Sequence, residues 1–78
     1  MNDAQNHVKT AIRLLGSEAR LAAASGVSQV SINKAKRRVA NGGRVSAELA
    51  VAIEKATNQA VTRSQLRPDL WPEAGDAA

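Results

Sequence analysis

The sequence predicts a compact all-α domain of five helices, and three observations carry that prediction. Apolar residues recur at helical rather than alternating spacing, clearest at Leu49, Ala52, Ile53 and Ala56. Serine, threonine and glycine stand where helices need caps and stops. The 78 residues include no Phe or Tyr and a single Trp, with alanine supplying much of the apolar content. Such a core comes from aliphatic side chains and close helix approach, not from the β-branched and aromatic pairs of a sandwich. The length suits one small domain. Residues 1–78 are therefore read as a single domain, with disordered or fraying ends at 1–5 and 73–78.

Val8, Ala11, Ile12 and Leu15 mark the apolar stripe of a first helix, with Asp3 or Asn6 as its N-cap and Gly16 as its left-handed stop. Ser17 caps a second helix over Glu18 to about Ser25, and Glu18 suits the positive end of its dipole. Leu21 is its large apolar anchor, while Ala22, Ala23 and Ala24 permit close packing. Two turns are too few to stand alone, so packing must hold this helix. Gly26 supplies a positive φ for a tight turn, and Val27 tucks under the corner.

Ser28 caps a third helix over 28–40, stopped by Asn41-Gly42-Gly43. Its Ile32, Ala35 and Val39 share one face. Val30, Asn33, Lys34, Arg37 and Asn41 fall opposite, with Gln29 at the edge. Ser46 caps a fourth helix ending near Asn58, with Glu48 and Lys55 matched to the dipole and Val51 off the apolar stripe. Thr62-Arg63-Ser64-Gln65 fits a capping box that opens a short fifth helix, and Pro68 stops it. Leu66, Leu70 and Trp71 are apolar handles there. Trp71, the lone aromatic, is expected to plug the core rather than anchor a dimer.

The net charge is +4, and its distribution says more than its total. No acidic residue lies between Ala19 and Ala47, whereas Arg20, Lys34, Lys36, Arg37, Arg38 and Arg44 all do. This one-sided field is the footprint of a polyanion binder. With no cysteine, one histidine and no phosphate-cradling loop, no set of residues offers a nucleophile, a base and an orienting partner. An enzyme is not expected, nor a metal or other cofactor, nor a small-molecule substrate. There is no signal-peptide pattern and no apolar run long enough to span a bilayer, so a cytoplasmic protein is expected, with no membrane partner.

Glu18 to Arg38 meets the requirements of a helix-turn-helix, the motif that sets its second helix in the major groove of DNA. A small residue, Ala22, stands where the two helices meet, and Gly26 follows at the turn. Leu21, Val27, Ile32 and Ala35 supply the apolar residues around the corner. Ser25 departs from the pattern, because an apolar residue just before the glycine is usual.

Gly26-Val27, Gln29 and Ile32-Asn33-Lys34-Ala35 resemble the recognition-helix segment of lambda Cro-type repressors. GVSQ at 26–29, the GGR loop at 42–44, Ala47-Glu48 and LRPDLWP at 66–72 resemble the YdaS-like branch of the Cro and repressor superfamily. The resemblance spans about Val8 to Pro72. It implies sequence-specific binding of a double-stranded DNA operator, as a homodimer, by a phage or prophage repressor. It further implies that Gln29 contacts an adenine edge and Lys34 a guanine, pairings that side-chain geometry also favours. Asn33 would read a base edge or hold a phosphate, and Val30 would pack on a thymine methyl. The stretch before the GGR loop is longer than in the YdaS pattern by close to one helical turn, so no role is carried past Ala35.

Lys36, Arg37, Arg38 and Arg44 lie toward the end of the third helix and in the following loop, and are read as phosphate contacts. Ser17, Ser28 and Ser31, at helix N-termini, are read as further backbone contacts beside their capping role. Two other readings stay open. One is a YdaS-like antitoxin or toxin-associated regulator that needs a protein partner. The other is a helical protein-interaction module without DNA binding.

Overall fold

The structure, a computed structural model, describes residues 3–72. They form five helices in the order α1 (Asp3–Leu15), α2 (Glu18–Ser25), α3 (Gln29–Ala40), α4 (Ala47–Ala56) and α5 (Arg63–Leu66), with no strand among the described residues. The chain is all-α, as its apolar spacing predicts. Helix α1 begins at Asp3, inside the stretch expected to fray, so neither Asp3 nor Asn6 precedes it as a cap. Residues 1–2 and 73–78, the rest of the expected disordered ends, lie outside the described residues.

The other four helices start at the expected hydroxyl residues. Ser17, Ser28, Ser46 and Thr62 each hold an extended backbone and accept an N–H three residues on, all at 3.1 Å. Each such bond satisfies an otherwise orphaned donor and contributes about 1 kcal/mol. At Thr62 the box is complete, because Gln65 Oε1 accepts the Thr62 N–H at 3.0 Å. Helix ends are equally local. Gly26 (φ 74°) closes α2, with the Val27 N–H on the Ala22 carbonyl at 3.0 Å. Gly42 (φ 89°) closes α3, with the Gly43 N–H on the Arg38 carbonyl at 2.7 Å. Asn58 (φ 54°) does the same for α4 without being glycine.

Helix α2 packs on α1, α3 and α4, which is how two turns survive. Its Leu21 and Ala22 are buried. Ala23 and Ala24 are exposed, contrary to the expectation that all three alanines serve close packing. Around Leu21 the core gathers Val8 and Ala11 from α1, Ile32, Ala35 and Val39 from α3, and Leu66 from α5. Helix α4 contributes Leu49, Ala50 and Ile53. The predicted stripe had Ala52 in place of Ala50; because α4 packs on both α2 and α5, its buried arc turns toward Ala50, leaving Ala52 half-buried.

Two loop residues, Val45 and Val61, are also buried, each about 1% exposed. Thr57 fixes the approach to Val61. Its hydroxyl donates to the Ile53 carbonyl at 2.9 Å and accepts the Val61 N–H at 3.1 Å. Trp71 lies half-buried against the core, with the Arg63 guanidinium 5.4 Å from its ring centroid, whereas Leu70 is exposed. Among the described residues no helix is long and apolar enough to cross a membrane.

Candidate nucleic-acid interface

Helix α3 is fastened through Ile32, Ala35 and Val39 to α2 and α1, and this leaves its opposite face in solvent. Gln29, Val30, Ser31, Lys34, Arg37 and Arg38 are exposed there, and Asn33 is half-buried. Val30 is 61% exposed, a large apolar group held in water among polar neighbours. The structure thus brings the four expected base-reading residues, Gln29, Val30, Asn33 and Lys34, onto the first half of one helix face. Arg37 and Arg38 follow on its second half. Lys34, Arg37 and Arg38 enter none of the ion pairs among the described residues.

Two hollows flank this face. Gln29, Val30 and Asn33 line one with Glu18 of α2. Ser31, Lys34 and Arg38 line the other with Ser46 and Glu48, at the start of α4.

Lys36 does not join Arg37 and Arg38. Its ammonium is ion-paired with the Glu18 carboxylate across the two helices. The Lys36 hydrogen bond holds the Glu18 carboxyl below the usual range against the opposing effect of burial. Helical spacing showed Lys36 as one more cation near the helix end. Its partner is 18 residues away in sequence, so only the packing of α2 on α3 reveals the pair.

The serines at the helix starts are occupied as caps. The Ser17 hydroxyl accepts from the Arg20 N–H, and the Ser28 hydroxyl from the Ser31 N–H, while the Ser28 and Ser31 hydroxyls share a hydrogen bond of 3.1 Å. Ser25, the departure from the motif, carries a buried hydroxyl with no hydrogen-bond partner. Where the pattern favours an apolar group, this chain buries an orphan donor.

Arg44 is exposed in the loop between α3 and α4, 3.9 Å from Asp69. That loop is pinned by a residue the sequence reading left without a role. Arg67 donates from Nη1 to the Val45 carbonyl at 2.9 Å, and from Nε and Nη2 to the two Asp69 oxygens at 3.0 and 2.8 Å. The hydrogen bonds from Arg67, opposed by burial, hold the Asp69 carboxyl down to about 2. An arginine and an aspartate either side of Pro68 were the visible signal, though nothing local pointed to Val45. At the other end of the loop, a Cβ on Gly43 would stand 2.5 Å from Arg38 Cγ and 3.0 Å from its carbonyl oxygen. Glycine lets the Arg38 stem lie across the helix end.

No curated protein and no solved structure matches the chain. A family model described as bacterial toxin YdaS matches residues 8–74, a span that takes in the pair α2–α3, the pinned loop and the Arg67–Asp69 clamp. The match covers most of the chain, and the protein belongs to this YdaS toxin family.

Proposed function

We propose that the protein is a sequence-specific double-stranded DNA-binding regulator of the Cro and repressor type, which reads the major groove with α3 as a homodimer. The carrying observation is the outer face of α3, where Gln29, Val30, Asn33 and Lys34 precede Arg37 and Arg38, which pair with no carboxylate among the described residues. The 12 residues of α3 make a rod about 18 Å long. A major groove about 12 Å wide admits such a helix.

In this reading Gln29 offers a donor and an acceptor to an adenine edge, and Lys34 donates to guanine O6 or N7. Asn33 reads the neighbouring edge, and Val30 buries its exposed surface on a thymine methyl. Arg37, Arg38 and Arg44 neutralise phosphates, which fixes register and gives a salt slope of about −2.7 per subunit for three contacts. The protein acts by binding, without catalysis or cofactor, and in the cytoplasm.

Selection of bound sites from random duplex DNA tests the proposal. A pseudo-palindrome with half-sites about one helical turn apart is the expected result. Failure to retain any duplex at low salt would contradict it.

A further inference from the structure

Glu18, the first residue of α2, faces one row of α3. Gln29, Asn33 and Lys36 are spaced four and three residues apart, so they share a side of that helix. Glu18 lines one hollow with Gln29, Val30 and Asn33, and its carboxylate is ion-paired with Lys36. The pair is partly shielded, with the Glu18 and Lys36 side chains 21% and 36% exposed. A bare carboxylate beside a face that meets phosphates would repel them. Paired, it contributes no net charge, but it removes a cation from a helix end where Arg37 and Arg38 enter no ion pair among the described residues.

We propose that Glu18 is a specificity-determining positioning residue: it withholds Lys36 from the phosphate backbone and orients Asn33 beside Gln29. The proposal rests on the DNA-reading role of α3. Phosphate contacts strengthen every duplex alike, and base contacts separate one duplex from another. A carboxylate that occupies one cation and steadies one base-reading amide therefore lowers general affinity and sharpens discrimination.

The test is the salt dependence of binding to a random-sequence duplex, for the wild type, E18Q, K36A, R37A and the double variant E18Q/K36A. Each variant is first checked for an unchanged helical circular dichroism spectrum. R37A is expected to flatten the slope of log K against log salt by about 0.9, the value of one phosphate contact. K36A, which bares the Glu18 carboxylate, is expected to weaken binding to every duplex, because the unpaired charge repels phosphates. E18Q is expected to steepen the slope by about 0.9 as Lys36 is released, and the double variant to restore it. On a duplex taken from site selection, E18Q is also expected to relax preference at one base position by about fivefold or more.

A double-variant slope that falls as the R37A slope does would overturn the withholding role, while leaving DNA binding by α3 intact. Unchanged base preference in E18Q would overturn the positioning role. If the wild type binds no duplex at low salt, the DNA reading itself fails, and this inference fails with it.

Discussion

Arg67 bonds the Val45 carbonyl at 2.9 Å and so ties the segment after α5 to the loop that follows α3. Val45 is buried, so that loop is held from inside by packing and from outside by the guanidinium. Arg67→Ala removes both this bond and the grip on Asp69. The thermal midpoint is expected to fall by a few degrees, with weaker binding of all duplexes as Arg44 loses its support. Arg67→Lys is expected not to rescue it, because a single ammonium cannot match the planar fork. Thermal unfolding of the two variants by circular dichroism checks the midpoints, and titration of a duplex with each variant checks the binding.

The same clamp sets a response to acid. Arg67 depresses the Asp69 carboxyl to about 2 in the folded chain, below its ordinary value of 3.8. Its stabilisation is therefore fully present above about pH 4 and is lost as pH falls toward 2. Glu18 is shifted in the same direction, chiefly by Lys36, and adds to that loss. Asp69→Asn is expected to lower the midpoint at neutral pH and to flatten its fall between pH 4 and 2. Melting curves across that range measure the difference.

Ser25 offers a gain rather than a loss. Its hydroxyl is buried and unpartnered, so it carries desolvation with no compensating bond. Ser25→Ala keeps the small volume, favours helix and removes the orphan atom. An increase in stability of about 1 kcal/mol is expected, read from urea unfolding. A loss would show that the hydroxyl has a role in the hollow that Ser25 lines with Ser31, Lys34 and Arg38.

Gln59 stands at φ 69° immediately after Asn58 at φ 54°. A left-handed backbone costs a side-chain-bearing residue about 1–2 kcal/mol, part of which glycine gives back through its freer unfolded chain. Gln59→Gly is expected to stabilise the fold by about 0.5–1 kcal/mol in the same urea assay.

What the sequence showed and what it hid divide along the range of the forces. The Ser17, Ser28, Ser46 and Thr62 caps depend on backbone groups three residues away, so the starts of α2 to α5 were legible. The buried row of α3 was legible too, because Ile32, Ala35 and Val39 sit at the helical period on a helix whose other large apolar residue, Val30, falls off that row. Helix α4 is apolar on several sides, so its period left the choice between Ala50 and Ala52 to its neighbours. Val45 and Val61 are single apolar residues in loops, where no period exists to mark them. At the candidate interface, exposure of Gln29, Val30 and Lys34 follows from the pattern alone, whereas the Glu18–Lys36 pair needed two helices in contact.

The most direct test of base reading by α3 compares Lys34→Ala with Arg37→Ala on a selected duplex and on one altered at single base pairs. Lys34→Ala is expected to lose about 1–3 kcal/mol of discrimination at one base position. Arg37→Ala should instead weaken all the duplexes about equally. A Lys34→Ala protein that ranks those duplexes as the wild type does would contradict base reading by this helix face.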